Sequence, residues 1–152
     1  MATAARFGTF QIDASDESSR ERASNLANQI RFLKSIDPTL GLYAAYAYAG
    51  AGMQDEVNSV YAYMKSDLKA LMFDVAMLTY GLSTSGNPDL NRKNVAPFCP
   101  MLSQGWNYLN SRDANLRPEV VVMRRYLRQS LWTTFDATGI YLLINSVKSG
   151  RL

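Results

Sequence analysis

From Ser18 onward the apolar positions of this chain recur every three or four residues, the period of helices that turn one face to a core. The first stripe is Ala23, Leu26, Ala27, Ile30 and Leu33. Ser18 with Glu21 three residues on makes a capping box at its start, and Arg20, Arg22 and Arg31 fall mostly off the stripe, toward solvent. The Asp37-Pro38 step ends this helix and starts the next, because proline disfavours helical geometry before it and suits the first turn after it. The second helix is small and aromatic at once. Gly41, Ala44, Ala45, Ala47 and Ala49 let neighbouring backbones approach, while Tyr43, Tyr46 and Tyr48 fill the remaining space and each need a polar partner if buried. Gly50-Ala51-Gly52 ends it. Asp55 and Glu56 open a third helix striped by Val57, Val60, Tyr61 and Met64.

Ser66 or Asp67 caps a predicted fourth helix with Leu68, Leu71, Met72, Val75, Leu78 and Leu82 on one face. Phe73, Ala76 and Met77 make its other faces apolar too, which places it at the centre of a bundle. Residues 83–97 read as the one long loop. Pro100 opens a fifth helix with Leu102, Trp106 and Leu109, and Pro118 a sixth with Val120, Met123, Leu127 and Leu131. In the last helix Asp136 is the cap, Phe135 is placed to staple to Ile140, and Ile140, Leu143, Ile144 and Val147 form the expected buried stripe before Gly150. Residues 1–14 carry no helical period, and residues 1–17 form an N-terminal arm, either docked through Phe7, Phe10 and Ile12 or frayed. The expectation is all-α: a compact bundle of about seven helices over 18–152, with no strand.

At 152 residues the chain suits one domain and is large enough to bury a real core. Charged residues are only 19% against 47% hydrophobic, with nine Tyr and seven Met. So few charges leave apolar surface showing, a hint of an interface. The net charge of +3 is too small by itself to argue for nucleic acid. One cysteine excludes an internal disulfide, residues 1–13 lack the apolar core of a secretory signal, and no apolar run approaches the ~18 residues of a membrane span. The expected location is cytoplasmic.

Histidine is absent altogether. That closes the Ser-His and Cys-His routes to an activated nucleophile, and with one cysteine it leaves no ordinary zinc site. No glycine-rich phosphate loop occurs, since Gly50-x-Gly52 lies at a helix turn with no strand before it and no lysine after it. The expectation is therefore no catalytic residue, no metal and no cofactor. Cys99, before a helix start, is either a thiol of lowered pKa or a small buried residue in a Pro-rich corner. Asp74, inside the apolar helix, is a buried polar candidate, paired by type with an arginine or a Tyr hydroxyl. Arg117, Arg124, Arg125 and Arg128 recur at spacings that share one face of the predicted sixth helix, where they either meet an anionic partner or are simply solvated. Trp106 and Tyr108 offer adjacent stacking surface, or serve as core.

Two resemblances bear on these residues. Within the second and third helices, Ala45, Tyr48, Gly52 and Tyr61 fit the register of a single tetratricopeptide repeat. Val57 and Met64 stand where that pattern has small residues, Lys69 where it has proline, and no second copy follows. More widely, the runs DPTLGLYAAYAYA, MFDVAML, PFCPMLSQGW and LWTTFD resemble an accessory helical domain of bacterial multidomain proteins. In those proteins it accompanies caspase-like or other peptidase domains of presumed conflict systems. The resemblance implies an associated helical module with no catalytic motif of its own. Sequence and resemblance together point to a non-enzymatic helical protein-interaction or adaptor domain, its partner a protein or a covalently linked domain. The alternative is an anion or nucleic-acid binding module using the arginine stripe.

Overall fold

Asp37 sets the first helix boundary by a local device. Its backbone is extended, and its carboxylate accepts the Thr39 amide at 2.9 Å and the Thr39 hydroxyl at 2.8 Å, with Pro38 in the first turn. A computed structural model describes residues 17–31, 37–69, 71–83, 95–114 and 116–152. The expected arm at 1–17 lies outside these except for Glu17, as does most of the expected loop at 83–97. In chain order the elements are helices α1 (Glu17–Arg31), α2 (Pro38–Gly50) and α3 (Gln54–Leu68), then strand β1 (Leu71–Met72) and helix α4 (Phe73–Leu78). Strand β2 (Val95–Ala96) and helices α5 (Gly105–Ser111), α6 (Pro118–Met123) and α7 (Ala137–Lys148) follow, with a 3-10 turn at Arg124–Tyr126. The described residues are mostly helical, as expected, and no helix among them is long and apolar enough to cross a membrane.

The core is built around α2, which is buried continuously from Gly41 to Tyr48 and packs between α1 and α3 with α4 against it. Its small residues make that possible. A Cβ at Gly41 would lie 2.8 Å from the Met64 sulfur, so the bulk of Met64 on α3 is received by a glycine on α2. Val57 and Met64 are both buried there, and the two helices close on each other despite these large side chains. All six residues of α4 are buried, as expected of that run, but the helix around which the others gather is α2 and not the predicted fourth helix.

Four further expectations are corrected. First, α4 is shorter than the apolar run. Lys69, at φ 52°, terminates α3 in left-handed backbone, Leu68 is exposed, and Leu71 and Met72 are extended, pairing in parallel with Val95 and Ala96. An apolar run that is buried on all sides suits a buried strand as well as a helix, and hydrophobic periodicity does not separate the two. Second, Pro100 does not open a helix. The 99–104 segment is a turn held by Thr133 N–H on Met101 O at 2.7 Å and Ser103 N–H on Leu131 O at 3.0 Å, and α5 begins at Gly105.

Third, the sixth helix ends at Met123. Leu127 is extended and bridges Phe135, and Arg128 N–H donates to Thr134 O at 2.9 Å. The four-residue interval between Leu127 and Leu131 keeps both on one side of an extended chain as well as of a helix, so it predicts neither. Fourth, α7 is capped by Asp136 as expected, through Gly139 N–H at 2.8 Å, but it is rotated. Gly139 and Ser146 are buried, Leu142 and Leu143 are half-buried and packed on the core, while Ile140, Ile144 and Val147 are exposed. Gly139 explains the rotation: a Cβ there would meet Tyr126 Cβ at 2.6 Å, so only glycine permits this approach of α7 to the 3-10 turn. Phe135 does not staple to Ile140. It meets the edge of Trp106, with ring centroids 6.1 Å apart.

Phe73 begins the most buried helix and is 5% exposed. Phe73→Ala is expected to destabilise the fold by about 3–5 kcal/mol, the cost of a large aromatic-to-alanine cavity, measured as a lowered midpoint in urea at unchanged m-value. A midpoint shift corresponding to under 1 kcal/mol would place the centre of the core elsewhere.

Candidate functional site

Asp74 is the most heavily engaged polar side chain inside the protein. It sits in the first turn of α4 with no exposed surface. Its Oδ1 accepts the Tyr46 hydroxyl at 2.6 Å and the Leu102 amide at 3.2 Å; its Oδ2 accepts the Met101 amide at 2.7 Å. One carboxylate thus ties α2, α4 and the 99–104 turn together. Of the two partner types expected, an arginine or a Tyr hydroxyl, the second is found. Gly105 completes the enclosure, since a Cβ there would run into the Tyr46 hydroxyl and lie 2.6 Å from Pro100 Cβ. Burial pushes the Asp74 carboxyl above the usual carboxylate range, offset in part by the Met101 amide, the Tyr46 hydroxyl and the Leu102 amide. Burial, with Asp74 beside it, holds the Tyr46 phenol well above its ordinary value.

Cys99 borders this cluster and is 6% exposed. Burial first, and the nearby Asp74 charge second, push its thiol up to about 12. Of the two readings left open by the sequence, the structure has the buried one, and α5, whose start was the reason to expect a lowered pKa, begins at Gly105, beyond the intervening turn.

Trp106 is interior, not a stacking surface. It is 2% exposed, and its Nε1–H donates to Thr133 Oγ1 at 2.9 Å, while the Thr133 hydroxyl donates to Pro100 O at 2.6 Å. Tyr108 is half-buried, edge-on to Tyr46 with centroids 5.8 Å apart. The arginines are dispersed by the end of α6 at Met123. Arg117 precedes the helix and donates to Arg151 O at 3.2 Å; Arg124 and Arg125 are exposed on the 3-10 turn; Arg128 is exposed on the extended segment beyond. They do not share a helical face. Arg128 lines an open polar cleft of about 530 Å³ with Ser103, Gln104, Asn107 and Gln129. A second, apolar cavity of about 320 Å³ lies between Phe73, Leu82, Val95, Pro97 and Leu116, with Arg117 beside it.

Two features were not anticipated. Arg112 is 9% exposed, with its guanidinium 4.5 Å from the Tyr80 ring centre and 5.9 Å from that of Tyr108, and it donates to Gln54 Oε1 at 3.1 Å. Gln54 in turn donates to Leu78 O at 3.1 Å, so a cation is lodged where α4 and α5 both end, the favourable end of a helix dipole. The sequence signal was a single arginine one residue past a helix, which is common. The other feature is the outward apolar face of α7. Its signal was legible: Ile140, Tyr141, Leu142, Leu143, Ile144 and Val147 encircle the helix, and a helix apolar all round has two faces to cover.

Among the described residues no group of three or more His, Cys, Asp or Glu is placed to hold a metal ion. Asp74 has no exposed surface and is spent on structural donors. Compared with known protein families, with characterised proteins and with solved structures, the chain matches none.

Two measurements follow from this cluster. In Asp74→Asn the amide NH2 opposes the Met101 or Leu102 N–H, so the variant should lose about 1–3 kcal/mol at neutral pH. The native carboxyl has a pKa above its unfolded value, so the native state holds its proton more tightly. Stability contributed by Asp74 therefore falls as pH rises from the ordinary carboxylate range through its native value, and is fully present below both. The advantage of the wild type over Asp74→Asn should widen as pH is lowered through that window; an advantage that narrows there contradicts this assignment. Separately, alkylation of Cys99 at pH 8 should be slower in the native protein than in urea by roughly three orders of magnitude, and a native rate near the unfolded one would show the thiol to be accessible.

Proposed function

We propose that this is a non-enzymatic helical protein-interaction domain of the adaptor type. Among the described residues, three buried polar groups are committed to holding the fold: Asp74 to the 99–104 turn, Arg112 to Gln54 and two tyrosines, Tyr48 to Asn28 at 2.7 Å. The surface feature that stands out for a partner is apolar. Ile140, Tyr141, Ile144 and Val147 stand 46–66% exposed along one side of α7, and this is the observation that carries the reading. Charged groups are sparse there, as in the central part of a protein interface.

The α2–α3 hairpin with its tetratricopeptide-like positions acts in this reading as scaffold. Ala45, Tyr48 and Val57 are buried, so the inner faces of the hairpin are filled by the rest of the chain. The likeness to accessory helical domains favours a partner that belongs to a larger bacterial effector or peptidase assembly. The dispersal of Arg117, Arg124, Arg125 and Arg128 supports protein binding over the nucleic-acid alternative, which needs cations aligned along a phosphate track.

The test uses the full chain as immobilised bait in an extract of the source cells, beside the Ile144→Asp and Val147→Asp variants. The expected result is a defined set of proteins retained by the wild type and reduced at least tenfold on both variants, whose circular dichroism is unchanged because neither residue is buried. Retention that is identical on wild type and variants, or tight and salt-dependent binding of DNA or RNA instead, contradicts the proposal.

A further inference from the structure

We infer that the outward face of α6 and α7 is a two-fold interface between two copies of this chain. This rests on the reading above, in that it names the occupant of the same face. Val121 and Val122 on α6 are 55% and 44% exposed, and with Ile140, Tyr141, Ile144 and Val147 they make six large apolar side chains uncovered on two helices that pack together. The apolar area is on the order of 600 Å², the upper limit for a patch on a monomer. With a polar rim it reaches the ~800 Å² that each partner contributes to a standard interface.

The arrangement of this face is self-complementary. Arg117 donates to Arg151 O, and Asp136 N–H donates to Tyr126 O at 2.9 Å, so α6 and α7 run antiparallel with their two pairs of ends joined. Taken midway between those joined ends, the Val121–Val122 step falls level with the Leu143–Ile144 step. A single two-fold axis through this level, perpendicular to the helices, lays α7 on α7 and α6 on α6 of the second copy, both antiparallel. Ile140 then opposes Val147 of the second copy, Ile144 lies next to its own equivalent, and Val121 opposes Val122.

The charges at the rim fall into matching positions under the same operation. Glu119, at the start of α6, comes opposite Arg124 and Arg125 of the second copy, which are exposed just past the end of that helix. At the other end, Asp136 at the start of α7 comes opposite Arg151 of the second copy, exposed just past the end of that helix. Antiparallel helix dipoles add to this pairing. A partner of unrelated sequence would have to supply this pattern afresh; a second copy supplies it by symmetry.

Sedimentation equilibrium on the purified full chain, from micromolar to millimolar, tests the inference. The expected result is a reversible dimer. Ile144→Asp, which places two carboxylates at the two-fold axis, should weaken it at least a hundredfold. Glu119→Arg should weaken it about tenfold by setting like charges opposite each other, and adding Arg124→Glu and Arg125→Glu should restore it. A monomer throughout the range, a dimer indifferent to Ile144→Asp, or a Glu119→Arg defect not relieved by the reversed charges would each overturn the inference. A monomeric chain that still retains other proteins through Ile144 as bait refutes the second copy alone and leaves the interaction reading standing; a dimer that retains nothing else upholds the second copy as the occupant.

Discussion

A carboxylate with no exposed surface must be given donors, and in this chain Asp74 draws three of them from elsewhere in the fold. Its Tyr46 donor belongs to the central helix and its two amide donors to the turn before α5. Leaving any one of them unmade would strand a buried polar group at a cost comparable to a large part of a small domain's net stability. The position of α2 against α4, and of the 99–104 turn against both, is therefore fixed together. Trp106 and Thr133 hang on the same turn: Pro100 O accepts the Thr133 hydroxyl, which accepts Trp106. From there the extended 127–135 segment is tied in, and through Asp136 so is the last helix.

Small residues make the node possible. Gly105 leaves the space that the Tyr46 hydroxyl occupies, Gly41 receives Met64, and Gly139 lets α7 close on Tyr126. Each is a place where a methyl group would force apart two elements that the polar network or the core requires to touch. The glycine at α7 has a consequence at the surface as well. By turning Gly139 inward it turns Ile140, Ile144 and Val147 outward, so one close approach in the interior produces the exposed apolar face.

What could be read from the residues alone was what is local. The caps at Asp37 and Asp136 need only a carboxylate and the amides two or three residues on, and both stand as expected. The burial of Phe73 to Leu78 was legible because five of its six residues are apolar and they surround Asp74 on every side of the helix. Asp74 was legible as a buried group with a Tyr hydroxyl among its partner types, but not its other donors, since backbone amides such as those of Met101 and Leu102 carry no sequence signature. The α7 stripe was misjudged because Leu142 and Leu143 are as apolar as Ile144 and Val147; the choice between faces was made by Tyr126, distant in sequence. The arginines were aligned on a helix that stops at Met123, and their common face went with it.

The claim on which the rest depends is that the Met101 and Leu102 amides are locked onto a buried carboxylate as part of the core. Native-state hydrogen exchange of those two amides tests it most directly. Both should exchange only through global unfolding, with the same denaturant dependence as the amides of α2, although they lie in a turn. Exchange within minutes, at a rate independent of denaturant, would mean that the turn opens without the core and that Asp74 does not hold it.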